Sequence, residues 1–118
     1  MDRLEKTGNK NDGETVMEIN ASKQKDVLYI SLYGEIDEHN AVEARRTADR
    51  LADEYTDMKS AVFDLRGVSF MDSTAIGFLI GRYKKFRRNG MDTYLTNPSE
   101  SADKILSMSG VYGLMPRV

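Results

Sequence analysis

The sequence predicts an α/β fold: a mixed sheet of four to five β-strands packed by three to four α-helices, in one domain. Three observations carry this. The chain is 118 residues long, the size of a single domain. Two β-type runs stand next to each other near the start, separated by a short polar turn. Beyond them helical periodicity and strand-like runs alternate, as strand-helix-strand crossovers onto a shared sheet require.

Residues 1–15 are polar and charged and carry Gly8 and Gly13. They hold too little apolar surface to offset the entropy of ordering, so they read as a flexible N-terminal lead, with the domain proper over 16–118. Val16-Met17-Glu18-Ile19-Asn20 reads as a short strand, and Lys23-Gln24-Lys25-Asp26 as a polar turn. Val27-Leu28-Tyr29-Ile30-Ser31-Leu32-Tyr33 is dense in β-branched and aromatic residues, so the two runs form an antiparallel hairpin that ends at Gly34. From Asn40 to Tyr55 the period changes. Ala41, Ala44, Ala48, Leu51, Ala52 and Tyr55 fall on one stripe, with charged residues around the rest, which defines an amphipathic helix that Asp37 or Asn40 can cap.

Ala61-Val62-Phe63-Asp64-Leu65 is a nearly continuous apolar run, the pattern of a central strand covered on both faces. Gly67 marks the turn after it. Asp72-Ser73-Thr74 opens a second helix whose stripe is Ile76, Leu79, Ile80, Tyr83 and Phe86, with cations near its end and Asn89-Gly90 as the stop. Met91 to Thr96 is the next strand. Asn97-Pro98-Ser99-Glu100 starts a third helix, with Ile105, Leu106 and Met108 expected to face inward and Ser109-Gly110 to end it.

Composition excludes several functions. There are 17 Lys and Arg against 19 Asp and Glu, no Cys and a single His. Disulfides, thiolate metal sites and Cys nucleophiles are absent, and one histidine, His39, cannot build a His-rich metal site. No cofactor is expected. The balanced charge argues against nucleic acid as partner. No apolar run approaches a membrane span, and the N-terminus lacks the apolar stretch of a signal peptide, so a cytoplasmic location is expected. The nucleophile elbow, the Walker loop and the dinucleotide fingerprint do not occur, which speaks against an enzyme.

The informative stretch is FDLRGVSFMDSTAIGFLIGRY, residues 63–83. A strand ends, a loop follows, and Asp72-Ser73-Thr74 opens a helix. The first N–H groups of a helix lack internal partners and carry partial positive charge, so a hydroxyl there sits near an anion site. A phosphate on Ser73 would add about −1.5 to −2 charges at a place that tolerates them. The plainer alternative is an ordinary N-cap. Glu35, Asp37, Glu38 and His39 form an acidic loop that a mixed sheet can bring close to Ser73, either as a docking face or as a cap with solvated charges. Arg82 to Arg88 reads either as a solvated helix end with core aromatics or as a surface for acidic proteins or phosphates. Asp64 reads as a hydrogen-bonded structural acid.

Three motifs in order resemble the STAS-domain anti-sigma factor antagonists. Leu32-Tyr33-Gly34-Glu35-Ile36-Asp37 is similar to the family's early motif, residues 68–84 to its signature, and Met108-Ser109-Gly110-Val111 to its late element. Within the family the chain is most similar to the sporulation antagonist of the sigma F system. The resemblance implies a phospho-switch. The unphosphorylated antagonist binds an anti-sigma factor that is also a serine kinase and so frees the sigma factor. Phosphorylation of the serine after the motif aspartate, here Ser73, ends that binding, and a PP2C-type phosphatase restores it. The chain is then a substrate of both enzymes and not a catalyst, and a monomer when free. The implied partner-binding set is Glu35, Asp37, His39, Asp72, Ser73, Thr74, Ala75, Gly77 and Arg82, with Asp37 and Asp72 matching the acids beside the serine. Ala75 stands where the family usually has glycine, so its methyl is expected to tune docking or kinase turnover. The alternative is a STAS scaffold subunit of a larger stress-signalling assembly.

Overall fold

The structure, a computed structural model, describes residues 17–118 in full and residues 2–7 by their backbone. Five strands form one sheet in sequential order. β1 (Asp2–Thr7), β2 (Met17–Gln24) and β3 (Val27–Tyr33) pair antiparallel. β4 (Ser60–Gly67) and β5 (Asp92–Thr96) then add in parallel. Helix α1 (Ala41–Glu54) makes the crossover from β3 to β4, and α2 (Ser73–Arg88) the crossover from β4 to β5. Helix α3 (Glu100–Ser109) and a 3-10 turn (Val111–Gly113) follow. The mixed sheet and three helices agree with the predicted fold class.

The hairpin turns on Lys25, whose φ of 55° lets β2 run straight into β3. The core lies on one face of the sheet. Ile19 and Ala21 from β2, Leu28, Ile30 and Leu32 from β3, Ala61, Phe63 and Leu65 from β4, and Leu95 from β5 are fully buried there. Their spacing of two is the strand period, and α1 supplies Ala44, Ala48, Leu51 and Ala52 against them. Small residues on α1 let its backbone lie close to the sheet. Phe63 and Phe86 meet edge to face with centroids 5.4 Å apart, which locks α2 over the sheet centre.

Four expectations are corrected. The flexible lead is not uniform: residues 2–7 are strand β1, in register with β2 from Asp2↔Ser22 to Thr7↔Met17. An edge strand is recruited by main-chain hydrogen bonds, which a polar sequence supplies as well as an apolar one. Met1 and residues 8–16, including Val16, lie outside the described residues. β4 carries the helices' core on one face only. Val62 points the other way, yet is 8% exposed because it stands in register between Tyr29 and Tyr94. The buried line of α2 is Ala75, Phe78, Leu79, Arg82 and Phe86, so Ile76, Ile80 and Tyr83 are its half-buried margin. On α3 the core takes Ala102 and Leu106, whereas Ile105 and Met108 face outward.

The C-terminus closes the β5 edge. Leu95 N–H donates to the Pro116 carbonyl at 3.0 Å, and Val118 N–H to the Leu95 carbonyl at 2.9 Å. Asp103 of α3 accepts from Tyr112 Oη at 2.6 Å and from Arg117 Nη1 at 3.0 Å, which ties that segment down. Burial and the adjacent carboxylate raise the Tyr112 phenol to about 12.

Candidate functional site

In a parallel sheet the loops leaving the strands' C-terminal ends gather at one edge. Here these are the loop after β3, the loop after β4 and the start of α3. Gly34 N–H donates to the Gly67 carbonyl at 3.0 Å, so the two strand ends are joined where the loops begin. A Cβ on Gly67 would lie 2.7 Å from the Leu32 carbonyl oxygen and against the Tyr33 ring, so only glycine fits at this crossing.

The acidic loop is held by its own side chains. Asp37 Oδ1 accepts from the N–H groups of His39 at 2.8 Å and Asn40 at 3.0 Å, and the Asp37 carbonyl accepts from Ala41 N–H. Asn40 is fully buried; its Nδ2 donates to the Glu35 carbonyl at 2.8 Å and its Oδ1 accepts from Asp37 N–H at 3.0 Å. Asp37 therefore fixes the turn before α1, whose N-cap position is Asn40 without a side-chain cap bond, and Asn40 is the latch that shapes the loop. His39 is exposed, with Nδ1 3.9 Å from Asp37 Oδ1.

Across from this loop, Ser69 Oγ donates to Glu35 Oε1 at 2.5 Å. The Ser69 carbonyl in turn accepts from Ser101 Oγ at 3.1 Å and Ser99 Oγ at 3.4 Å. One serine thus joins the β3 loop, the β4 loop and α3. The second oxygen of Glu35 is buried without a hydrogen-bond partner among the described residues.

Helix α2 opens here. Asp72, in extended conformation, caps it: Oδ1 accepts from Thr74 N–H at 2.9 Å and Ala75 N–H at 3.2 Å. Ser73 is the first helical residue and its side chain is exposed. Its hydroxyl makes no hydrogen bond among the described residues. Two of the N–H groups of the anion site read at this helix start, those of Thr74 and Ala75, are therefore already held by the Asp72 carboxylate. A phosphate on Ser73 would stand beside a carboxylate and turn outward to solvent.

The remaining expected residues divide. Thr74 and Gly77 line a groove between α1 and α2 together with Ala41 and Val42, so the starts of both helices adjoin. An added Cβ at Gly77 would meet nothing within 4 Å. Ala75 is 1% exposed and its methyl faces the core, so it cannot touch a partner. Arg82 is 5% exposed and paired with Asp49 of α1, Nε to Oδ1 at 2.7 Å and Nη2 to Oδ2 at 3.3 Å. Burial lowers its pKa, against the pull of Asp49. Its role is to tie α2 to α1, not to offer a charge to a partner. Asp64 is the structural acid expected, accepting from Arg66 N–H at 2.9 Å and Asn97 Nδ2 at 3.3 Å.

Sequence reading missed Ser69, the latch role of Asn40, and Asp49. A serine in a loop carries no periodic signal, and the Arg82–Asp49 pairing spans two helices. Among the described residues no cluster of acids or His could hold a metal ion, and no helix is long and apolar enough to cross a membrane.

The arrangement is a rigid surface centred on a free hydroxyl, and residues 18–117 match the STAS domain. The chain belongs to the STAS domain family. Among relatives of this STAS domain is the anti-sigma F factor antagonist of Paenibacillus polymyxa, 29% identical over 100 residues, which cover 85% of each chain. The anti-sigma F factor antagonist of Lysinibacillus sphaericus is 33% identical over 87 residues, 74% of each chain. Among solved structures, the anti-sigma factor antagonist SpoIIAA in its unphosphorylated form superposes with a TM-score of 0.67 at 24% identity, over 85% of this chain and 87% of that one. The likeness to that structure establishes the fold.

Proposed function

We propose that this STAS domain is an anti-sigma factor antagonist whose binding to an anti-sigma factor with serine kinase activity is switched off by phosphorylation of Ser73. The observation that carries the reading is the Ser73 hydroxyl: exposed, without a hydrogen bond among the described residues, and set on a helix start where Asp72 holds the N–H groups of Thr74 and Ala75. The named relatives support the partner class.

The mechanism needs no change of fold. In the free protein the Glu35–Asp37 loop and the start of α2 form a preorganised face, so a partner docks without ordering cost. The kinase supplies ATP with Mg²⁺. The Ser73 oxygen forms a bond to the γ-phosphorus, the bond from that phosphorus to the ADP oxygen breaks, and the hydroxyl proton leaves. The product carries a dianion next to Asp72. The N–H groups of Thr74 and Ala75 are not free to receive it, since Asp72 holds both. Burying such a charge under a partner costs several kcal/mol without a matched cation. Each ~1.4 kcal/mol is tenfold in affinity, so the modified form is released. A PP2C-type phosphatase resets the hydroxyl.

The test is incubation with the source organism's anti-sigma factor kinases, purified one at a time, with ATP and Mg²⁺. Mass spectrometry of the peptide spanning Ser73 should show one added phosphate, and binding should weaken at least a hundredfold in that form. Modification at Thr74 alone, or equal affinity in both forms, refutes the reading. A scaffold subunit would instead sediment in a large particle and show no release on phosphorylation.

A further inference from the structure

Three large apolar side chains stand in the open beside Ser73. Met108 is 84% exposed, Phe70 58% and Ile105 36%. They line two adjoining depressions that share Ile105 and Met108 and together make a cleft between the start of α2 and the outer face of α3. At one end Phe70, Lys104, Ile105 and Met108 form its wall; at the other, Ile105 and Met108 meet Ser73 and Ile76. Scattered apolar residues are normal on a surface, but a contiguous set beside a candidate site marks contact.

We propose that this cleft is the apolar half of the partner contact. It seats a hydrophobic side chain of the anti-sigma factor, presented next to a carboxylate that faces Lys104. The inference rests on Ser73 being the phospho-acceptor, and it adds where the affinity comes from.

Three features support this occupant. The cleft is continuous with Ser73, so a kinase docked at the Ser73 oxygen stands next to Ile105 and Met108. Its walls are fixed before any partner arrives, because Ser99 and Ser101 of the α3 start bind the carbonyl of Ser69, next to Phe70. Lys104 forms no ion pair among the described residues, which leaves a cation on the rim for a partner's acid. Methionine at the centre suits a partner side chain of irregular shape. The cleft also explains how one phosphate acts so strongly. A dianion on its wall must lose water when an apolar group is seated, so the modification strikes the apolar contact directly.

The experiment uses the full chain and the anti-sigma factor kinase that phosphorylates it, with binding followed by calorimetry. Met108→Ser and Phe70→Ser should each weaken binding of the unphosphorylated form at least tenfold. In phosphorylation of Ser73 they should raise KM by a similar factor with kcat within twofold. Lys104→Glu should weaken binding more at low salt than at high. Lys59→Ser, at the opposite end of the sheet, should bind as wild type. Should Phe70→Ser fail to fold, Met108→Ser decides alone, since its side chain is almost wholly exposed. Wild-type affinity in Met108→Ser, with Ser73 still phosphorylated, overturns the cleft proposal and leaves the switch standing. A wild-type dimer that Met108→Ser dissociates, with kinase affinity unchanged, assigns the cleft to a second copy and also overturns it. If no kinase binds or modifies the wild type, the switch reading falls and this inference with it.

Discussion

Ser69 Oγ donates to Glu35 Oε1 at 2.5 Å, and this one bond spans the two loops that frame Ser73. It also leaves Glu35 with a single satisfied oxygen, since Oε2 is buried and unpaired among the described residues. Beyond the Gly34–Gly67 hydrogen bond, the link between the two loops is therefore a hydroxyl that carries no charge.

Ser69→Ala should cost more than an average surface substitution. Removing the donor takes away the one hydrogen bond that Oε1 makes to the opposite loop, at an exposed site where water can replace it, a loss of about 0.5–1.5 kcal/mol. Urea unfolding should show the midpoint falling with the slope unchanged. Hydrogen exchange should rise in residues 34–40 and 68–72 and stay flat in β2 and β3. If exchange rises everywhere equally, Ser69 acts on global stability and not on the site's framing.

Gly67→Ala should be more damaging than the same change at Gly77, Gly81 or Gly113, where an added Cβ meets nothing within 4 Å. The added methyl meets the Leu32 carbonyl at 2.7 Å and the Tyr33 ring, at the point where the β3–β4 register shifts. Overpacking against backbone costs about 1–3 kcal/mol. Because the clash lies beneath both loops, the spectrum of the Glu35–Asp37 loop should change as well. A variant as stable as wild type, by thermal melting, would show that the strand ends can part without cost.

The β-strands and α1 were legible because burial there follows a single period. Alternation in β3 and the alanine stripe of α1 each name one face. α2 was harder. Its apolar residues cover more than half its circumference, and the core takes Ala75, Phe78 and Arg82, while Ile76 and Ile80 sit at the edge. An arginine on the buried line is invisible to hydrophobic periodicity, because its partner Asp49 lies on another helix. α3 shows the converse. Ile105 and Met108 look like core residues, yet the short helix has only one stripe against the sheet, and Ala102 and Leu106 fill it. The helix start at Ser73 was legible through Asp72-Ser73-Thr74. Ala75 was misread because the residue type was visible but its inward direction was not.

Gly77→Ala and Gly81→Ala should stabilise the free protein. Both lie inside α2, and an added Cβ at either meets nothing within 4 Å. Glycine in a helix interior is less favourable than alanine by about 0.8–1.0 kcal/mol. Each variant should therefore raise the urea midpoint, and the double variant should approach the sum. A loss of stability in either would mean that the groove between α1 and α2 is less open than its geometry indicates.

Tyr112 makes the pH dependence of stability asymmetric. Its phenol is raised in the folded state to about 12 from the ordinary 10.0, first by burial and then by the hydrogen bond to Asp103. A raised pKa means the folded state keeps the proton longer than the unfolded chain does. The contribution is fully present below pH 10 and is lost as pH rises from about 10 to about 12. In Tyr112→Phe this loss is gone. The variant should be less stable than wild type at neutral pH, because the Asp103 contact is missing. The gap should then narrow as pH climbs through that window. Thermal melts of both proteins at steps between pH 8 and pH 11.5 measure it. Parallel curves would place the alkaline loss elsewhere, among the exposed lysines and tyrosines, and would leave the Asp103 tie as packing alone.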